Sequence, residues 1–136
     1  MNIVIDTNIL VAGLLSPFGP CGRIIRMVLS GELRPCYDTR ILAEYRAVLS
    51  RLKFKFDTND VESLINFIQN TGLLVNAKSI NFDYPDPDDT AFLEVAVTAQ
   101  TKFLVTGNLK HFPSDFYQNV QILSPSNFFN IIIQNS

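Results

Sequence analysis

Three acidic side chains, each with an ordinary explanation alone, could together do chemistry. Asp6 ends the run Ile3-Val4-Ile5 and is followed at once by Thr7 and Asn8. Glu44 sits inside the segment DTRILAEYRAVLSRLK, at the border of the apolar face formed by Ile41, Tyr45, Val48, Leu49 and Leu52. Asp89 closes the stretch NFDYPDPDD, with Asp86 and Asp88 just before it. Each has an ordinary explanation: a turn for Asp6, an i−4 pair with Arg40 for Glu44, a helix cap for Asp88 or Asp89. One cap accounts for one Asp, and not for Asp86, Asp88 and Asp89 together between and after two prolines. Carboxylate oxygens are the ligands that hard cations such as Mg²⁺ and Mn²⁺ select. Two such ions about 4 Å apart activate a water and stabilise a leaving oxygen in phosphodiester cleavage.

For these acids to converge, the chain must deliver them to one place. The patterning alternates strands with helices: a buried strand at 2–5, an apolar helix at 8–15 stopped by SPFGP, a helix at 22–30 and a strand at 33–37. A helix capped by Asp38 or Thr39 runs to about Lys53, and one capped by Thr58 runs to Asn70. A strand or edge segment at 73–75 precedes the acidic loop and a helix at 90–100 that is apolar nearly all round. Strands at 103–105 and 120–123 follow, separated by a loop, and Ser124-Pro125 opens a terminal helix. This order predicts one α/β domain over 1–136, a three-layer α/β/α arrangement around a mostly parallel sheet. Ligands of such sheets bind beyond the carboxyl ends of the strands. Asp6-Thr7-Asn8 and Thr106-Gly107-Asn108 both follow strands and are predicted to share that edge.

The composition narrows the class. At 136 residues and 47 % hydrophobic content the chain can bury a real core. Two cysteines, Cys21 and Cys36, read as reduced and buried or half-buried rather than as a disulfide framework or zinc site. Asp6 precedes the first apolar stretch and no Lys or Arg does, the reverse of a secretory signal. No window approaches the roughly 20 apolar residues of a membrane span, so a cytoplasmic protein is expected. Net charge is −2, but residues 1–56 carry eight Lys and Arg against four acids, and residues 57–136 carry three against nine. A basic half and an acidic cluster therefore coexist.

Together these segments resemble a PIN domain, the nuclease fold common among toxins of toxin–antitoxin pairs. VIDTNILVAGL is similar to the family's first motif, ILAEYRAVL to the helix bearing the second acid, and DPDDTAFLEVAV to the third motif. FLVTGNLKHF is similar to the fourth, and VQILSPSNFF to the closing strand and helix. The resemblance implies a Mg²⁺- or Mn²⁺-dependent ribonuclease, the toxin of a type II pair. Asp6, Glu44 and Asp89 would be its catalytic metal ligands, with Asp86 and Asp88 as further ligands. Thr7, Asn8, Thr106 and Asn108 would be polar supports or phosphate contacts. Where many family members carry an Asp after Thr-Gly, this chain carries Asn108, which can ligate or orient through its oxygen but adds no charge. One or two ions are both compatible with that change.

The implied partners are an RNA substrate and an antitoxin protein. Arg23, Arg26, Arg40, Arg46 and Arg51 are candidate phosphate contacts; Lys53 and Lys55 read equally as a solvated helix end. His111, the single His, reads as a structural loop residue rather than a base. Phe112, Phe116, Phe128 and Phe129 read as core or subunit contacts, and the apolar FFNIII suggests a homodimer. Two rival chemistries fail on residues. A dehalogenase-type phosphatase needs a second Asp where Asn8 stands, and a phosphoacceptor receiver needs adjacent acids after strand one and a Lys after its last strand. The rival that survives is a PIN-like module that binds RNA or protein without cutting.

Overall fold

The computed structural model describes residues 1–80, 89–112 and 115–134. Asp86 and Asp88 therefore lie outside the described residues. Among those described, the order is β1 (Asn2–Ile5), α1 (Thr7–Leu15), α2 (Pro20–Leu29), β2 (Arg34–Tyr37), α3 (Thr39–Leu49), α4 (Thr58–Thr71), β3 (Leu73–Leu74), α5 (Thr90–Ala99), β4 (Phe103–Val105), β5 (Phe116–Tyr117), β6 (Val120–Leu123) and α6 (Pro125–Gln134). The strands form one sheet in the order β3-β2-β1-β4-β6-β5, parallel except for β5, which runs antiparallel to β6. This is the three-layer α/β/α arrangement.

Burial explains why the central strands read as continuous apolar runs. Ile3, Val4 and Ile5 are all buried, as are Phe103, Leu104 and Val105. A strand buried at successive positions must be covered on both faces. Helix α5 is enclosed to the same degree, with Ala91 through Ala96 all buried.

The structure moves a few boundaries. Asp57, not Thr58, caps α4: its carboxylate accepts from the backbone N–H groups of Asn59, at 2.7 Å, and Asp60. The helix after β2 ends at Leu49, and a short 3₁₀ turn spans Leu52–Phe54, so the apolar periodicity outruns the helix. Strand β5 forms inside what reads as loop; two residues are too few for alternation to declare itself. Phe128 and Phe129 are buried in the core, so most of the apolar character of FFNIII serves this chain's own packing, while Ile133 is exposed. Cys36 is buried and Cys21 half-buried, both free thiols, and burial pushes each thiol's pKa up. Among the described residues no single helix is long and apolar enough to cross a membrane.

Candidate active site

Strand order reverses around β1, which has β2 on one side and β4 on the other. A crevice opens outside the carboxyl ends of a parallel sheet where the order reverses. Asp6 lies there. Its backbone N–H bonds to the Val105 carbonyl at 2.9 Å, joining the ends of β1 and β4. It occupies the N-cap position of α1, yet its side chain makes no capping bond. Instead its Oδ2 accepts from the Thr106 hydroxyl at 2.7 Å. Asp6 is 4 % exposed and Thr106 is fully buried, so this contact is sheltered from water. The Thr106 hydroxyl oxygen accepts in turn from the Asn108 backbone N–H at 3.0 Å. A hydroxyl that receives one bond and donates another is fixed in direction.

Glu44 reaches the same edge from α3. Its Oε2 accepts from the hydroxyl of buried Thr7, the residue after Asp6. Next to it, the Tyr45 hydroxyl donates to the carbonyl of Ile5, the last residue of β1. Tyr45 is fully buried and packs against Phe92 with ring centroids 6.3 Å apart. Burial pushes its pKa well above the ordinary tyrosine value, and the negative charges of Asp6 and Glu44 push it the same way. Tyr45 therefore remains a proton donor that pins α3 to the end of β1.

Asp89 enters at the start of α5, whose N-terminus faces the carboxyl edge because the helix runs back before β4. It holds the N-cap position with helical dihedrals and no side-chain capping bond, so capping does not explain it. It is buried, and its Oδ2 stands 3.0 Å from Nδ1 of His111. His111 is thus a structural partner of the third acid. The sequence signal was its place three residues after Asn108, but nothing local indicated that it turns back to α5.

Asn8 is exposed on α1, and the described contacts do not draw it into the site. Arg40 does not pair with Glu44. It turns to Asp38, with Nη2 to Oδ2 at 2.7 Å, and to Glu94, with Nη1 to Oε1 at 2.8 Å. Glu94 also accepts from the Ile80 backbone N–H at 2.9 Å. Asp38, the residue after β2, caps α3 by accepting from Ile41 at 3.0 Å. A guanidinium able to bridge two carboxylates, one on α5, outcompetes a single i+4 contact on a helix surface. Glu94 therefore belongs to this ion-paired knot.

Among the described residues, no group of three or more His, Cys, Asp or Glu side chains is placed to hold one metal ion. The donors suit a hard divalent cation in kind: Asp6 and Glu44 are carboxylates that accept from hydroxyls, and Asp89 is a carboxylate beside His111. Mg²⁺ usually keeps several waters and takes one or two carboxylates plus substrate phosphates rather than an all-protein cage.

A family model for the PIN domain matches residues 2–110, and the chain belongs to that family. The match runs from β1 through Thr106 and Asn108 to the residue before His111. The fold is nuclease-like; PIN domains are in general nucleases that use divalent metal ions. An uncharacterized protein of Methanocaldococcus jannaschii is 24 % identical over 112 residues, covering 79 % of this chain and 71 % of its own.

Proposed function

We propose that the protein is a Mg²⁺- or Mn²⁺-dependent endoribonuclease in which Asp6, Glu44 and Asp89 are the catalytic carboxylates, with the whole 1–136 chain acting as one PIN-like unit. The observation that carries this reading is the delivery of three acids, from β1, α3 and α5, to the carboxyl edge where strand order reverses. A divalent ion bound there supplies Lewis acidity and an activated water for phosphodiester hydrolysis. The chain's own residues orient and exclude. Thr106 aims the Asp6 carboxylate, Thr7 aims Glu44, and His111 meets Asp89. The buried walls around Asp6 and Asp89 keep bulk water from these carboxylates and strengthen their pull on a cation. Asn108 supplies a neutral oxygen and a backbone N–H that holds Thr106. Asp86 and Asp88 are proposed as supplementary ligands on sequence alone.

The proposal extends, on the sequence resemblance, to a toxin role with an antitoxin partner in the cytoplasm and, on the apolar FFNIII, to a homodimer. Light scattering that finds a monomer at high concentration refutes the dimer.

The test is RNA cleavage with Mn²⁺ or Mg²⁺, comparing the native protein with Asp6→Asn and Asp89→Asn. Cleavage that survives both substitutions sinks the assignment. A second reading rests on Asn108, which lowers the charge of the fourth motif: a module that binds RNA without cutting. Native protein that binds RNA yet cleaves none across varied sequences would establish it.

A further inference from the structure

The five arginines singled out as phosphate contacts separate cleanly in the fold. Arg40 is held by Asp38 and Glu94, and Arg46 pairs with Glu62 at 3.3 Å. Arg51 follows α3, about 16 Å along the helix from the carboxyl edge at which α3 begins. Arg23 and Arg26 differ. Both are exposed on α2, and neither forms an ion pair among the described residues.

They line a groove of about 370 Å³ between α2 and α6 with Phe18, Ser126, Phe129 and Asn130. No acidic residue lines it. In a chain of net charge −2, two cations without a carboxylate among them mark an anion-binding surface. The Arg23 guanidinium lies over the Phe129 ring, 4.4 Å from its centroid. Stacking occupies the flat face and leaves the in-plane N–H fork for a phosphate. Phe18 is 98 % exposed at the groove's mouth.

The loop presenting Phe18 is built rather than loose. Helices α1 and α2 meet at 104°. Gly22 packs so closely on the Pro17 backbone that a Cβ would collide with it, and Gly13 meets Cys21 and Ile25 in the same way. Arg26 donates to the Pro17 carbonyl, and the Gly19 N–H bonds to the Ser16 carbonyl at 3.1 Å. An aromatic ring presented to water from a held backbone beside two arginines has the composition of a stacking platform for unpaired bases.

The groove also lies in line with the acidic edge. Thr106 N–H bonds to the Leu123 carbonyl at 3.0 Å, so β4 and β6 end together. Ser126 stands in the first turn of α6, which begins right after β6. From Asp6 to the start of α6 is two strand spacings, roughly 10 Å.

We infer that the α2–α6 groove is a single-stranded RNA-binding track flanking the acidic edge, in which Phe18 stacks on a base and Arg23 and Arg26 contact the phosphates. The inference rests on RNA as the substrate class, and its test is separate from cleavage. Binding of a short fluorescein-labelled oligouridylate is followed by fluorescence anisotropy in EDTA, across a salt series. Phe18→Ala is expected to weaken binding about tenfold with the salt slope unchanged, since one stacked base is lost. The double variant Arg23→Ala/Arg26→Ala is expected to weaken binding and to lower the log–log salt slope by about 1.4, two phosphates at roughly 0.7 each. On duplex RNA, whose bases are already stacked, Phe18→Ala is expected to change nothing. Lys102→Ala, exposed at the opposite end of β4 from Thr106, serves as the control of unchanged affinity. If the native protein binds single strands and both groove variants match it, the track is refuted and the nuclease reading stands. If the native protein neither binds nor cleaves RNA, the nuclease reading fails and the track falls with it. Thermal melting of each variant checks that the fold is kept, and Arg23→Ala alone, which leaves the Arg26 bond to the Pro17 carbonyl in place, should still lower the salt slope by about 0.7.

Discussion

Two acidic groups share the carboxyl edge of the sheet and are held by different chemistry. In one, Asp38 and Glu94 share the guanidinium of Arg40, and Glu94 also accepts from the Ile80 backbone. In the other, Asp6 accepts from Thr106, and Glu44 accepts from Thr7. A guanidinium offsets part of the charge of the two carboxylates it bridges, whereas a hydroxyl aims a carboxylate and adds no charge. The first arrangement ties the segment after β3 to α5 and α3. The second sets two threonine-bonded carboxylates beside the end of β1, where strand order reverses. The same residue type thus serves architecture in one place and, in our reading, chemistry a strand away.

Substitutions should separate the two. Asp6→Asn or Asp89→Asn removes a proposed ligand and should lower RNA cleavage by on the order of 10³-fold, several kcal/mol of lost ion chemistry at about 1.4 kcal/mol per tenfold. The melting temperature of Asp6→Asn should hold or rise, because a buried charge is removed and an oxygen acceptor is kept for Thr106. A large drop in stability would instead make Asp6 architectural and erase the contrast. Thr106→Val and Thr7→Val remove only the aiming hydroxyl and should reduce cleavage or Mn²⁺ affinity roughly 10- to 100-fold, with Thr106→Ser restoring most of it.

Arg40→Ala should do the opposite. It strands Glu94 and Asp38 and should cost about 2 kcal/mol in urea unfolding, less than for a fully buried pair because Arg40 is 47 % exposed. Cleavage per folded molecule should change little. Tyr45→Phe removes a buried hydrogen bond to Ile5 and should cost about 1–2 kcal/mol near neutral pH. Its pH profile sharpens the point. The folded state keeps the Tyr45 proton to a higher pH than the unfolded chain does, so this contribution is complete below about pH 10 and fades as pH rises beyond it. The phenylalanine variant should lose that alkaline decline. Arg46→Ala, breaking an exposed pair with Glu62, should shift stability by less than about 0.5 kcal/mol.

Much of this architecture is legible in the sequence alone. The run Ile3-Val4-Ile5 and the helix after Asp89 are apolar at successive positions, and buried elements of a parallel sheet must be so. Asp6 and Thr106 were placed on one edge because both follow strands, and the 2.7 Å bond between them bears that out. The ordinary explanation for Glu44, a pair with Arg40, is not the one the fold makes. Helical spacing offered Glu44, while the true partner Glu94 lies 54 residues away and no local pattern encodes it. His111 looked like a loop residue because its contact with Asp89 depends on how the segment after β4 folds back.

The sequence by itself determined the alternation of strands and helices, the acids that follow them, and the asymmetry of charge between the two halves. These are local properties, set by residue type and period. The tertiary structure decided which acid meets a guanidinium and which a hydroxyl, and which arginines face solvent without a carboxylate. Those outcomes depend on contacts between residues distant in the chain, whose competition is settled only when the elements pack.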